Sequence, residues 1–238
     1  MAATSAPPGV ADRVDRPVPP AVGSVRVLGR DDESAVALLL ARAFATEPGN
    51  VALYPDPVAR LTMLEAGMRG MFRTLVRYGS AHGIEVDGRL GAVALWHPPG
   101  VQTTARDVPT VLWSKLAVAP TAVRAVPTAL RRALGRPGAA VGVVRQRAAA
   151  IEAVSAGPVW HLAFLGAAPE HRGRGLARRL LDRQLVRCDE DGVAVWLETT
   201  DPVNPPIYER FGFEVVTQLE DAAWLPGWWA MRREPRLT

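Results

Sequence analysis

The stretch Leu165-Gly166-Ala167-Ala168-Pro169-Glu170-His171-Arg172-Gly173-Arg174-Gly175-Leu176-Ala177 decides how this chain folds. Leading into it, Trp160 to Ala167 is an apolar run of strand length, which predicts a largely buried strand. Following it, residues 172–190 place Ala177, Leu180, Leu181, Leu185 and Cys188 at helical spacing. A strand therefore passes through a glycine-rich turn into a helix. The first turn of a helix carries unpaired N–H groups and the positive end of the helix dipole, and glycines let a phosphate approach that backbone closely. Such a turn suits a pyrophosphate. It is not the dinucleotide fingerprint, because Arg178 stands where a third glycine or an alanine is required.

The same alternation continues outward. Val193 to Leu197 reads as a second buried strand, residues 204–211 as a short helix, and Phe213–Val216 and Trp228–Met231 as closing strands. Upstream, Val25-Arg26-Val27 opens the fold as a short strand. Asp31 or Asp32 caps a helix bearing Val36, Leu39, Leu40 and Ala43, and a second helix runs from Val58 to Tyr78. Ile84-Glu85-Val86, the turn Asp87-Gly88 and Leu90 to Trp96 predict a hairpin, ended by His97-Pro98-Pro99-Gly100. Strands alternating with helices argue for an α/β or mixed α+β domain.

Composition narrows the function. The chain has 238 residues, 48% hydrophobic and 22% charged, which is globular. Lys115 is the one lysine and follows Ser114, so a P-loop, which needs Gly-Lys, is excluded. Cys188 is the one cysteine, so no intramolecular disulfide or cysteine zinc cluster forms. His82 and His171 have no partners at metal-ligand spacing, and no metal is expected. The apolar run Ala35–Ala41 stops at Arg42, short of a membrane span, and the N-terminus lacks the order of a signal peptide. A cytoplasmic protein is expected, with no membrane partner.

Residues 1–23 are proline-rich and poor in apolar side chains, and read as a disordered tail before a single domain over 24–238. Within that domain a helical segment spans about 105–157, with no acidic residue between Asp107 and Glu152 but with Lys115, Arg124, Arg131, Arg132, Arg136, Arg145 and Arg147. One reading is an electropositive lid over an anionic ligand. The other is a solvated helical face. The segment lacks the interleaved aromatics of single-strand platforms and any duplex-reading motif, so no nucleic acid partner is expected.

The central stretch resembles the acetyl-CoA signature of the GCN5-related N-acetyltransferases (GNAT), Gln/Arg-x-x-Gly-x-Gly/Ala, through Arg172, Gly175 and Ala177. Leu197-Glu198-Thr199-Thr200, Asn204 and Tyr208-Glu209-Arg210-Phe211-Gly212-Phe213-Glu214-Val215 extend the likeness, and among that family it is similar to the puromycin N-acetyltransferase-like members. The resemblance is strong over residues 159–216, moderate over 25–100, and absent from the helical segment and the tail. It implies an α+β, α/β-like fold: a mixed sheet of about seven strands flanked by helices and splayed between the fourth and fifth, here 159–167 and 193–200, with the extra helical segment before the fourth.

It also implies a cofactor site for acetyl-CoA, the co-substrate. The pantetheine arm would bond main chain at Leu165, Gly166 and Ala167, and the pyrophosphate would sit on the amides of Arg172, Gly173, Arg174, Gly175, Leu176 and Ala177. Arg172 and Arg174 add charge, Arg174 being equally suited to solvent. Asn204 matches the family's amide contact to the cofactor and equally suits a helix N-cap.

Acetyl transfer to an amine needs the ammonium to lose a proton, donors for the developing oxyanion, and a proton or stabilisation for the leaving thiolate. Tyr208 matches the family's general acid, since a phenol with a pKa of about 10 stays protonated at neutral pH and can donate to a thiolate; the competing role is packing its helix on the sheet. Glu198, at the end of a central strand, can accept the amine proton directly or through water, with pairing to an arginine as the competing role. His161 is a secondary base or a hydrogen-bonded core histidine, and His97 is expected at the surface. The acceptor region falls on the first two helices, where Glu47-Pro48-Gly49-Asn50 and Tyr54 are this chain's own. The expected function is acetylation of a small-molecule amine, an antibiotic or related metabolite, by a monomer or homodimer. The alternatives are a non-catalytic CoA-binding regulatory module and acetylation of a protein or peptide amine.

Overall fold

The turn Asp87-Gly88 takes positive φ at both residues, 50° and 72°, the pair of conformations that closes a two-residue hairpin with the right twist. It joins β2 (Ala81–Val86) to β3 (Arg89–His97), and both strands are almost wholly buried. In this computed structural model residues 21–101, 137–220 and 226–236 are described. Around the hairpin lie β1 (Val22–Val27), α1 (Glu33–Phe44), α2 (Pro48–Leu53) and α3 (Pro57–Leu75). Beyond it lie α4 (Pro137–Val154), β4 (Val159–Ala167), α5 (Leu176–Glu190), β5 (Ala194–Thr199), α6 (Pro205–Glu209), β6 (Glu214–Leu219) and β7 (Trp228–Arg233). The seven strands form one mixed sheet, as expected, and their order is β1-β2-β3-β4-β5-β7-β6, with β4–β5 parallel and its other pairs antiparallel.

Alternation along the strands sorts the core onto two faces. Val93 and Leu95 meet Leu40, Phe72 and Leu75 of α1 and α3. Ala92, Ala94 and Trp96 point the other way, toward Leu180, Leu181 and Leu185 of α5. On the α1 side, but over the β5–β7 end, α4 covers Trp196 and Trp228 with Ala150 and Val154. Arg233, 3% exposed, donates twice to Asp189 at 2.7 Å and to the Phe211 carbonyl, tying β7 to the end of α5 and the turn after α6.

Several boundaries differ from expectation. β1 begins at Val22, inside the expected tail, because the Ala21 N–H donates to Asp87 Oδ1 and Val22 pairs with Val86. Asp32 stands at the N-cap of α1, but its carboxylate is taken by Arg26 and the Gly29 N–H instead of the helix. The helix expected from 172 starts at Leu176, because Gly173 and Gly175 adopt φ of 74° and 72° and keep the turn open. β4 is only partly buried along its length, since β5 does not follow it to its end. Of the basic segment, α4 is described, and the rest of 105–136 lies outside the described residues.

Candidate active site

The site begins with a bulge. Leu95 of β3 pairs with Phe164 while the next residue, Trp96, pairs with Leu162, so Ala163 is the extra residue in β4. A bulge bends its strand and ends regular pairing. At the same place β4 loses β5: their parallel register runs from Val159–Ala194 to Leu162–Leu197 and goes no further. Residues 163–167 therefore keep β3 on one side and have no strand on the other, which leaves main-chain N–H and C=O groups for a ligand. Leu165, Gly166 and Ala167 all lie on this segment. Gly166 has a packing reason as well: a Cβ there would stand 3.0 Å from Leu40 Cδ2 and 3.1 Å from Ala43 Cβ of α1.

β4 delivers the chain into the turn before α5. A Cβ added at Gly173 or Gly175 would meet nothing within 4 Å. The positive φ and the open space together present the first N–H groups of α5 to whatever approaches. Leu176 is 2% exposed and anchors the helix in the core beneath the turn. Arg172 and Arg174 are less free than expected. Arg172 Nη2 donates to the Ala43 carbonyl at the end of α1, at 2.8 Å, and Arg174 Nη1 lies 3.3 Å from His171 Nδ1. The residues around this turn fit a pyrophosphate through main chain more than through arginine charge.

β5 carries the other half. Its residues alternate so that Val195 and Leu197 face α5, whereas Trp196 and Glu198 face α4. Glu198 is exposed and its Oε2 accepts from Trp228 Nε1 at 2.8 Å, so among the described residues an indole, and not an arginine, is its hydrogen-bond partner. Next to Trp196 lies a row of stacked rings: His161 is 3.8 Å from Trp196 and 5.3 Å from His97, nearly parallel to both. His97, expected at the surface, is 4% exposed, because the end of β3 is covered. His161 Nε2 is buried without a hydrogen-bond partner among the described residues, so the expected hydrogen-bonded core histidine is not seen at that atom. Burial, reinforced by the neighbouring His97, pushes the His161 imidazole down to about 3.

Asn204 precedes α6 but makes no side-chain capping bond. Its Nδ2 donates to Thr199 Oγ1 at 2.8 Å, which holds the loop after β5. Tyr208 follows on α6, half-buried, with its ring edge-on to Phe213 at 5.7 Å. Burial pushes its phenol up to about 12, so it is a proton donor throughout the neutral range.

Glu47, placed by the sequence only in the acceptor region, and Arg147, read only as part of the basic segment, meet Trp228 and Glu198 at this strand end. Glu47 stands at the N-cap of α2 and accepts from the Thr200 hydroxyl and from Asn50 Nδ2 at 2.7 Å. Gly49 lets α2 come this close, since a Cβ there would stand 2.8 Å from Thr200 Oγ1. Burial pushes the Glu47 carboxyl up against those hydrogen bonds, and the charges of Asp201 and Glu198 push the same way. Arg147 of α4 lies over the Trp228 ring, its guanidinium carbon 4.8 Å from the centroid. The Glu-Pro step at a helix start was the available signal for Glu47; nothing local marked Arg147 or Trp228. Tyr54 is 5% exposed and packs with Ala59 and Met63, so it serves the core.

Other features lie apart. A cleft of about 750 Å³ between α1 and the β2–β3 hairpin includes Arg26, Glu85, Arg42 and Glu170, whose charges are paired with one another or with Asp32. Cys188 is buried, and desolvation pushes its thiol up to about 11, which suits packing. No group of three or more His, Cys, Asp or Glu among the described residues can hold a metal. No helix among them is long and apolar enough to cross a membrane.

Comparison with known proteins agrees with this geometry. The profile of the acetyltransferase (GNAT) domain matches residues 148–216, from the end of α4 to the start of β6. An uncharacterised N-acetyltransferase of Schizosaccharomyces pombe is 37% identical over 54 residues, 23% of this chain and 22% of that protein. The match thus spans about a fifth of the curated relative. A histone acetyltransferase HPA2-related protein of Corynebacterium glutamicum superposes with a TM-score of 0.58 at 18% identity, covering 92% of this chain and 98% of that one. The polyamine N-acetyltransferase of Drosophila melanogaster, which forms N-acetylagmatine, gives 0.54 at 19% identity over 90% and 100%. PaiA N-acetyltransferase of Thermoplasma acidophilum, solved with coenzyme A, gives 0.52 at 9% identity over 90% and 99%. The fold is that of the GNAT acetyltransferases, and the acetyltransferase (GNAT) domain match falls on β4, α5, β5 and α6, the elements that build the splay and the glycine turn.

Proposed function

We propose that this protein is an N-acetyltransferase that moves the acetyl group of acetyl-CoA onto an amine of a small molecule by direct attack on the thioester. The observation that carries the proposal is the coincidence of three features at one place: the parting of β4 from β5 after Leu162 and Leu197, the open turn at Gly173 and Gly175, and a carboxylate at the end of β5. Acetyl-CoA supplies an acyl group already activated as a thioester.

The chain's own residues supply the rest. The free edge of Leu165–Ala167 offers main-chain partners to an extended amide-bearing arm, and the N–H groups of 172–177 offer partners to phosphate oxygens. Asn204 holds the β5 loop through Thr199. Glu198, oriented by Trp228, accepts the proton of the incoming ammonium. Tyr208 keeps its proton at neutral pH and donates it toward the departing sulfur.

A small acceptor is favoured because Glu47, Glu198 and Arg147 converge around the strand end from α2, β5 and α4. Antibiotic and related metabolite amines come first among acceptors, on the likeness of the Leu197–Val215 stretch to puromycin N-acetyltransferases. The test is a panel of small amines incubated with acetyl-CoA, with thiol release as readout. Amine-dependent release by the wild-type chain, lost in Glu198→Gln, is expected. Tight CoA binding with no release from any amine or peptide would favour the regulatory module instead.

A further inference from the structure

Resting on the acetyltransfer reading, we propose that the acceptor is a zwitterion, an amine whose ammonium is received by Glu47 and Glu198 and whose carboxylate-class group is received by Arg147.

Arg147 is half-buried on α4, with its guanidinium carbon over the Trp228 ring, 4.8 Å from the centroid. The same indole donates to Glu198 Oε2 at 2.8 Å. Glu47 reaches this strand end from α2 through its bond to Thr200. Both carboxylates are near enough to act on the Arg147 charge, yet neither forms an ion pair with it within 4.0 Å among the described residues.

That separation sets Arg147 apart from several ion-paired arginines of the fold. Arg26, Arg69, Arg73 and Arg233, all lining the fold from other elements, each hold a carboxylate within 3.3 Å. A guanidinium has five N–H donors in a planar fork. A cation–π contact with an indole holds the head over the ring and consumes none of the donors. Arg147 is therefore held in place with its donors available, beside two carboxylates with which it forms no ion pair among the described residues.

The carboxylate side is likewise unbalanced. Glu47 is removed from water while facing the negative charges of Glu198 and Asp201, so an added cation relieves like-charge repulsion there. An ammonium answers that need. A plain diamine would press a second positive charge against Arg147, and a simple monoamine would leave the fork unused. An ammonium and a carboxylate carried on one small molecule satisfy both sides at once, with the bidentate geometry that guanidinium gives to carboxylates.

The experiment titrates matched pairs, tyrosine against tyramine and arginine against agmatine, into the CoA-loaded full chain by calorimetry. In at least one pair the carboxylate-bearing member is expected to bind about tenfold or more tightly, the scale of a charge-assisted pair. Arg147→Met, which keeps a stem over Trp228 and removes the fork, should bring that ratio to about one. Arg147→Lys should keep part of the preference, and it serves alone if the Met variant melts early. Amines binding as tightly as their carboxylated partners in every pair, no member binding at all, or a preference surviving both variants would overturn the proposal. Thiol release from acetyl-CoA is read separately. Discrimination in binding without any acetyl transfer would refute the enzymatic reading and leave the charge pairing standing.

Discussion

Leu162 of β4 and Leu197 of β5 are the last residues at which these two parallel strands run paired. One residue later Ala163 bulges out of β4, and from there the strands part. Leu162 and Leu197 are both buried, at 4% and 1% exposure, in the core under α5. The splay is thus hinged on a packed apolar pair. Pairing is full behind the hinge and absent ahead of it, so a ligand meets a prepared edge without having to break one.

Gly175→Asp is expected to lower CoA affinity by at least tenfold, since it places a carboxylate at the N-terminus of α5 where phosphate oxygens should lie. The left-handed conformation at this position also strains most side chains. Gly175→Asn tolerates that conformation and carries no charge, so it separates strain from electrostatics. Calorimetry with CoA, beside thermal melts of both variants, reads the result. Equal affinities in folded wild type and Gly175→Asp would remove the turn from the cofactor site.

Glu198→Gln should reduce turnover by roughly 10²-fold or more with CoA affinity unchanged, the usual scale for loss of a general base. The amide oxygen can still accept from Trp228 Nε1, so the local structure persists. Raising pH should partly restore the rate, because more of the acceptor is already neutral. Tyr208→Phe should also slow turnover, with no such recovery. Wild-type Tyr208 keeps its proton until about pH 12, so the rate should show no decline from this group through pH 10. A pH–rate profile in all three proteins checks these outcomes, and an unaltered profile in Glu198→Gln would transfer the proton to His161 or water.

His161 makes acid stability a test of the stacked row. Its folded pKa is lowered to about 3 by burial, with His97 adding to it, from an ordinary value near 6.5. As pH falls through 6.5 the unfolded chain takes up a proton that the folded chain refuses. Stability is therefore present above about 6.5 and is lost progressively toward pH 3, by about 2 kcal/mol at pH 5 from this group alone. His161→Phe keeps the stack and removes the titration. Denaturant melts from pH 7 to pH 4.5 should show a flatter decline in that variant, and parallel curves would count against it.

Deleting residues 1–20 should leave melting temperature and CoA binding nearly unchanged, because the first described contacts begin with Ala21 on Asp87 and Val22 on Val86. Extending the deletion through Val27 removes β1, the Arg26 pairs with Asp32 and Glu85, and an edge of the sheet. A marked loss on the shorter deletion would show that the proline-rich segment docks on the domain.

The order of elements and the glycine turn were legible in the sequence for local reasons. Asp87-Gly88 between alternating strands signals a hairpin, and the glycines at 173 and 175 mark a turn between a buried strand and an amphipathic helix, although that helix starts at Leu176 and not at 172. Glu198 could be singled out as a carboxylate at the end of a buried strand, and Tyr208 through the resemblance carried by the run from Leu197 to Val215. Only the tertiary structure decided what surrounds them. Glu47 lies 153 positions from Thr200, and Arg147 reaches Trp228 from a helix in the basic stretch. His97 is buried because β4 and β5 bring His161 and Trp196 beside it, which no property of the His97-Pro98 step reveals. Backbone conformation and amphipathic period act over a few residues and can be read along the chain. Desolvation and charge act through space, so the partners that set the character of this site became visible only when the sheet had assembled them.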